Sequence, residues 1–336
     1  MWMLQNNTPF EAERTWVRDK NGLHHWIVVI KATYDIAENG TLTISEEPVE
    51  PLFAAEYNGE DGLSSVKYEA DLTAMKPSTD IYMNGVAYAP DGRATNKVKV
   101  GLQVNNWKKE LNVFGDRVWQ QNMAGLMTTT ASEKFTSMPI VYERAFGGTD
   151  VSNPSPRFQS MDMKNPTGTG VYSKHENIVG KPAPNIENIA KRIGKNWPAG
   201  YGAIASYWSP RIELMGTYDK KWAETRKPLL PNDYDPKSLM CSPLDQQPSG
   251  YMNGGAVIQL HNLTPNNFLS FTIPKINYSF DTYFGSAKKQ HFSQLVSTII
   301  DSEGPRLILV WQTSLPVGND GDYLDKTVIN YQGNLT

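Results

Sequence analysis

Near the amino terminus stands the run LHHWIVVIKATYDI, residues 23–36, whose centre WIVVI is continuously apolar. A strand that faces water on one side alternates apolar and polar side chains, whereas a continuous apolar centre demands cover on both faces. The rest of the chain therefore has to cover this strand twice. The run ends at the ENG turn, residues 38–40, and TLTIS is expected to return from it as a second strand. With 336 residues the chain can bury a substantial core without metal or disulfide staples. The apolar run falls far short of the ~20 residues that a helix needs to cross a bilayer, so no membrane insertion is expected.

The stretch VKVGLQVNNWKKELNVFG gives the sharpest local prediction. Two strands flank Asn105 and Asn106, a pair that tolerates the positive φ angles of a two-residue hairpin turn. In that register Val104 faces Trp107, Val100 faces Leu111 and Val98 faces Val113, which makes one sheet face apolar. The other face carries Lys97, Lys99, Lys108 and Glu110. The pairs Lys108–Lys109 and Lys220–Lys221 read as solvated. HFSQLVSTIID and RLILVWQ repeat the arrangement around a Ser302-Glu303-Gly304-Pro305 turn.

Between residues 150 and 200 the composition shifts to SNPSPRF, NPTGTG, GKPAPN and WPAGYG, where Pro and Gly forbid long regular elements. Trp197, Tyr201, Tyr207 and Trp208 argue for order there, because disordered linkers rarely carry so much aromatic area. One helix is expected at DKKWAETR, opened by the capping Asp219 and stopped before Pro228, with a shorter turn near ENIAKRI. NDGDYLD lacks the glycine and distal glutamate of a calcium loop and reads as a solvated turn. The fold class is therefore mainly β: a large antiparallel scaffold, sandwich or barrel-like, with long Pro/Gly-rich irregular segments and one or two short helices. Residues 1–150 would form an amino-terminal lobe, 151–200 an ordered connection, 201–312 a carboxy-terminal lobe and 313–336 a polar tail, unless all pack as one domain.

No constellation in the sequence points to catalysis. The 32 basic and 35 acidic residues are dispersed and leave a net charge of −3, without the basic patch that nucleic acid requires. His24, His25, His175, His261 and His291 include no pair at ligand spacing, and Cys241 is alone, so neither a metal nor another cofactor is expected. Ser64 to Lys67 and Ser286 to Lys289 have the Ser-x-x-Lys form but lack the companion motifs of serine hydrolases. The single cysteine fits a reducing compartment, and the first residues contain no signal-peptide pattern. A pair of carboxylates with aromatic stacking, as in carbohydrate-active hydrolases, stays open because any two acids could meet across a cleft.

MPIVYERAFGG, residues 138–148, sets Glu143 beside Arg144 and closes on Gly147 and Gly148. Read as a strand over residues 139–146, its alternation sends Glu143 and Arg144 to opposite faces, where each needs its own partner. The two glycines allow a bulge or a close backbone approach. A structural ion-pair network is the expected role, and recognition of a partner is the functional alternative.

In combination, NNTPF, VVIKATYDI, KYEADLTAMKPSTDIYMNGVAYAP, LNVFGDRVW, MPIVYERAFGG, NPTGTG, PNIEN, GTYDKKWAETRKPLLPNDYDPKSLMCSPLDQQ and YMNGGAVIQLHNL stand in an order that resembles a bacterial family of type VI secretion effector adaptors or chaperones. Members are encoded beside spike proteins and PAAR-containing effectors. The resemblance covers about the first 310 residues; Cys241-Ser242 departs from the expected Asn-Ala before Pro. It implies a cytoplasmic, non-catalytic protein of a Gram-negative bacterium whose partner is a cognate effector with its PAAR or spike region. Trp119, Arg144, Trp197, Trp208 and Trp222 are the candidate partner contacts, since stable interfaces centre on Trp, Tyr and Arg. Lys76, Asp80, Asp116, Arg117, Glu143, Gly147 and Gly148 are expected to organise the fold. The alternatives are a carbohydrate-active hydrolase or sugar-binding protein, and a structural component that travels with the secreted spike.

Overall fold

The computed structural model describes residues 2–172, 178–189 and 198–333. The run that demanded double cover is the strand His24–Ile36, inside a seven-stranded sheet. From one edge the sheet runs through Ser137–Ile140, Asp80–Tyr88, Gln294–Asp301, Arg306–Pro316, His24–Ile36 and Glu11–Arg18. The short strand Leu42–Ile44 returns against the end of His24–Ile36, as the turn at residues 38–40 predicts. Neighbours are antiparallel except Asp80–Tyr88 beside Gln294–Asp301, which run parallel.

Side-chain alternation distributes the apolar run between two cores. Trp26, Val28, Ile30, Ala32 and Tyr34 enter one, and Ile27 and Val29 the other. Arg306–Pro316 does the same, with Leu307, Leu309 and Trp311 on the first side and Ile308 and Val310 on the second. The expected half-buried arrangement of Gln294–Asp301 and Arg306–Pro316 is thus corrected: both strands are buried on both faces, because they lie inside this sheet.

The first core lies against two further sheets. One is five-stranded, in the order Ile186–Asn188, Trp107–Phe114, Lys97–Val104, Val257–His261 and Phe268–Thr272. Its hairpin has the predicted register, Val104 opposite Trp107, Val100 opposite Leu111 and Val98 opposite Val113. Asn105 takes the expected positive φ of 50°. Lys109 corrects the solvated reading: it stands opposite Leu102 on the apolar side and is buried. Its Nζ donates to Asp245 Oδ1 and Gln246 Oε1, both at 2.8 Å. Burial pushes the Lys109 pKa below the ordinary lysine value, against the opposing pull of Asp245.

The other sheet has four strands, with Leu324–Gly333 between Met3–Asn6 and Ile276–Phe284, and Ala287–Phe292 at the far edge. Within the segment 313–336 set apart by sequence as a polar tail, residues 313–316 end the strand Arg306–Pro316 and residues 324–333 form the strand Leu324–Gly333 of a second sheet. Among the described residues no sheet closes into a barrel. The single α-helix among the described residues is Lys220–Thr225, and Asp219 caps it by accepting from Trp222 N at 2.8 Å. The turn expected at ENIAKRI begins instead with the strand Ile186–Asn188, and its later residues lie outside the described ones.

Largely irregular chain, with the short strand pair Glu56–Tyr57 and Val66–Tyr68, covers the second face of the seven-stranded sheet, where Val66, Tyr68, Leu72, Ala203, Trp208 and Cys241 join the second core. Irregular segments leave main-chain groups without sheet partners, and buried charges here supply them. Asp80 accepts from Lys76 Nζ at 2.7 Å, Cys241 N at 2.9 Å, Ser242 N at 3.0 Å and Ser242 Oγ at 2.6 Å. Lys76 Nζ also donates to Ser297 Oγ at 2.9 Å on the neighbouring strand. Arg211 pairs with Glu69 and donates to Ser238 O and Ile204 O. Lys31 reaches Asp71 at 2.7 Å, and Asp71 holds Leu52 N at 2.9 Å. Burial alone would lower the Lys76 pKa and raise that of Asp80, but each charge reverses the effect on the other and keeps the pair ionised.

Lys76→Ala leaves Asp80 charged, buried and short of its strongest donor, and is expected to remove about 3–5 kcal/mol of stability in urea denaturation. His291 supplies a pH prediction. Its ring lies between Thr282 Oγ1 at 2.7 Å and Thr313 Oγ1 at 2.6 Å and stacks on Phe280, and burial pushes its pKa down to about 4. The folded chain therefore keeps it neutral while the unfolded chain protonates it from about pH 6.5 downwards. Stability from this group is present above pH 6.5 and lost as pH falls towards 4. The melting temperature of His291→Gln should fall less steeply than that of the wild type across that window.

Candidate functional site

MPIVYERAFGG does not continue as one strand. It leaves the sheet after Ile140 and folds into a 3-10 turn at Tyr142–Arg144, so the strand expected over residues 139–146 is corrected. The cause is long-range. Tyr142 turns inward, its hydroxyl donates to Gly202 O at 2.9 Å, and its ring packs edge-on against Trp208 at 5.6 Å. Its carbonyl is taken by Ala145 N at 3.1 Å and by the side chain of Asn165 at 2.8 Å, which replace a sheet partner.

Glu143 and Arg144 still diverge to separate partners. Glu143 Oε1 accepts from Ser65 N at 2.7 Å and Oε2 from Ser65 Oγ at 2.8 Å. Arg144 Nη1 lies 3.2 Å from both Asp116 Oδ1 and Asn185 Oδ1, with its side chain 36% exposed. Asn185 in turn donates to Asp116 Oδ1 at 3.0 Å, and its main-chain N donates to Arg144 O at 2.8 Å. Gly147, at φ 153°, permits an approach no side chain would: a Cβ there would lie 2.3 Å from Asn165 O. Gly148 at φ 117° is held in the same way against Gly168 O.

Two projections leave this node. The first, residues 149–164, is closed by Thr149–Asp150 pairing with Ser160–Met161. Its base is locked by the fully buried Asn165, whose Nδ2 donates to Tyr142 O and to Phe146 O at 3.1 Å. It exposes Val151, Phe158, Met161 and Met163. The second is a ribbon of Trp119–Gln121 and Met127–Thr129, flanked by residues 178–182 through Trp119 N to Lys181 O at 2.9 Å and Gly180 N to Trp119 O at 2.8 Å. Its tip is shaped by Asn122, whose Oδ1 accepts from Ala124 N and Leu126 N. Met123, Leu126 and Val179 stand exposed on it. Arg117 ties the ribbon base down through Pro184 O and Glu187, with its guanidinium 4.0 Å from the Phe114 ring centre.

The tryptophans proposed as anchors occupy different positions. Trp208 is wholly buried beside Tyr142 and Tyr207, a core side chain of the second face. Trp119 is half-buried at the ribbon base. Trp222 is half-buried on the helix, donating to Leu229 O at 2.9 Å and packed edge-on against Tyr218. Trp197 lies outside the described residues. Lys76 and Asp80 sit in the buried network, while Asp116, Arg117, Glu143, Gly147 and Gly148 stitch the node. Residues that sequence reasoning passed over, Met123, Leu126, Val151, Phe158 and Met161, are exposed apolar side chains of the two projections; Phe53, Leu63, Phe292 and Tyr323 are comparably exposed elsewhere. On the projections the signal is an apolar side chain within a turn-forming stretch, as in NMAGL.

A groove of about 480 Å³ opens beside the node, lined by Tyr57, Tyr68, Tyr142, Asp301, Glu303 and Arg306 among others. Asp301 is already engaged there by the Tyr68 hydroxyl and by Asn84 Nδ2 at 2.8 Å. Among the described residues no group of three His, Cys, Asp or Glu is placed to hold a metal ion. No helix among them is long and apolar enough to cross a membrane. Residues 21–312 match the model of a bacterial family described as "Uncharacterized protein conserved in bacteria (DUF2169)". Comparison with curated proteins and with solved structures returns no match.

Arg144→Ala breaks the contacts to Asp116 and Asn185 at a partly exposed site and should cost about 1–2 kcal/mol in urea denaturation. Met123→Ser and Phe158→Ser, on side chains that already face water, should stay within about 0.5 kcal/mol of the wild type.

Proposed function

The chain belongs to this bacterial family, and on that premise we propose that it is a non-catalytic adaptor which binds, stabilises and loads a cognate toxic effector onto the type VI secretion spike. It acts in the cytoplasm and engages the PAAR or amino-terminal region of the effector. The ordered motifs from NNTPF to YMNGGAVIQLHNL support this reading through their resemblance to effector adaptors.

The observation that carries it is the placement of Met123, Leu126, Val151, Phe158 and Met161 in water on two projections with a common rigid base. Exposed apolar side chains forgo roughly 1.5–3 kcal/mol each of burial energy, and grouped exposure marks a surface that a partner covers. Pre-organised projections also reduce the entropy that association must overcome.

Co-expression with the effector encoded beside it, followed by affinity purification, should give a stable complex and at least a several-fold rise in effector abundance. A combined Met123→Ser, Leu126→Ser and Phe158→Ser chain should fold normally yet lose that rise. An effector that folds and accumulates equally without this chain would contradict the adaptor reading.

A further inference from the structure

A second recognition site lies on the four-stranded sheet, away from the two projections. Ile276–Phe284 pairs with Leu324–Gly333 along its whole length, but with Ala287–Phe292 only from Ser279 onwards. Residues 276–278 therefore have a strand on one side and, among the described residues, no strand on the other. The chain of Ala287–Phe292 has left for the seven-stranded sheet at that point, and Met252, bridged to Leu295, bounds the gap. The result is a groove of about 730 Å³ along an open sheet edge.

The walls suit a polypeptide main chain. Leu295 and Trp311 form a buried apolar floor, and Phe292 stands 66% exposed at one side. Asn253, Asn277, Gln290, Gln294 and Gln332 line the rim, and none of these amides makes a side-chain hydrogen bond among the described residues. Amides offer a donor and an acceptor at once, the pairing that a peptide group requires. Lys275 is the one charged side chain in the lining, is exposed, and has no ion-pair partner among the described residues.

We infer that this groove takes an extended segment of a partner polypeptide as an added strand, its main chain pairing along residues 276–278. An apolar side chain of the segment rests against Phe292, and an acidic one meets the Lys275 ammonium. Strand addition draws affinity from main-chain hydrogen bonds and specificity from alternate side chains, and the floor and rim supply both here. The site deepens the adaptor reading by naming the form of a second contact, and it fails separately from that reading.

Panning a phage-displayed library of random dodecapeptides on the full chain should enrich sequences that alternate apolar and polar residues and contain Asp or Glu. A selected peptide should bind saturably in fluorescence anisotropy. N-methylation of its alternate main-chain amides, and separately Lys275→Glu, should each weaken binding at least about tenfold. The Lys275→Glu melting temperature should match the wild type. No enrichment, or binding indifferent to both changes, overturns the inference. So does a dimer of this chain that Lys275→Glu dissociates in sedimentation, or maltohexaose displacing the peptide. An effector stabilised equally by the wild type and by Lys275→Glu would overturn it while leaving the adaptor reading intact.

Discussion

The chain that crosses the start of the central strand Asp80–Tyr88 on the second face of the sheet depends on one buried ion pair, Lys76 with Asp80. Asp80 is the first residue of a strand inside the seven-stranded sheet, and its carboxylate collects Lys76, Cys241 and Ser242. It thereby fixes irregular chain from distant parts of the sequence onto a strand. Lys76 adds Ser297 of the parallel neighbour, so the pair also marks the register between Asp80–Tyr88 and Gln294–Asp301. Burying two charges offers little net stability over an apolar pair, and its physical return here is a unique arrangement of segments that have no ladder of their own. Arg211 with Glu69 and Lys31 with Asp71 apply the same solution to the adjoining loops.

A scaffold held in this way can leave apolar side chains in water without losing its shape, provided its sheet edges are guarded. The edge strand Ser137–Ile140 carries Pro139, which has no N–H to offer a new strand. At the edge strand Phe268–Thr272 the turn containing Gly40 packs so closely that a Cβ there would lie 1.9 Å from Ser270 O. Part of the exposed apolar area stands on the ribbon and on residues 149–164, both rooted at the Arg144 node. The open stretch at residues 276–278 departs from this pattern.

What the sequence revealed were features determined by near neighbours. The strand His24–Ile36, the hairpin register around Asn105 and the cap at Asp219 follow from periodicity, turn chemistry and capping, all readable within a short window. The failures came from distant partners. Nothing around Lys109 announces Asp245, and nothing around Tyr142 announces the Gly202 carbonyl that draws its ring inward and ends the strand. Of the tryptophans that composition offers as interface anchors, Trp208 is core and Trp119 and Trp222 are half-buried. Strand alternation predicts the divergence of Glu143 and Arg144, and a 3-10 turn produces it. Glu143 holds Ser65, and Arg144 contacts Asp116 and Asn185 between the bases of the two projections.

The central claim is that a rigid core presents two fixed projections to a protein partner. Hydrogen–deuterium exchange of the chain, alone and with the effector encoded beside it, tests this most directly. The expected result is new protection at residues 119–129 and 149–164, with Asp80–Tyr88 and His24–Ile36 equally protected in both states. Unchanged exchange at both projections within a stable complex, or a large gain in protection at the central strands, would contradict it.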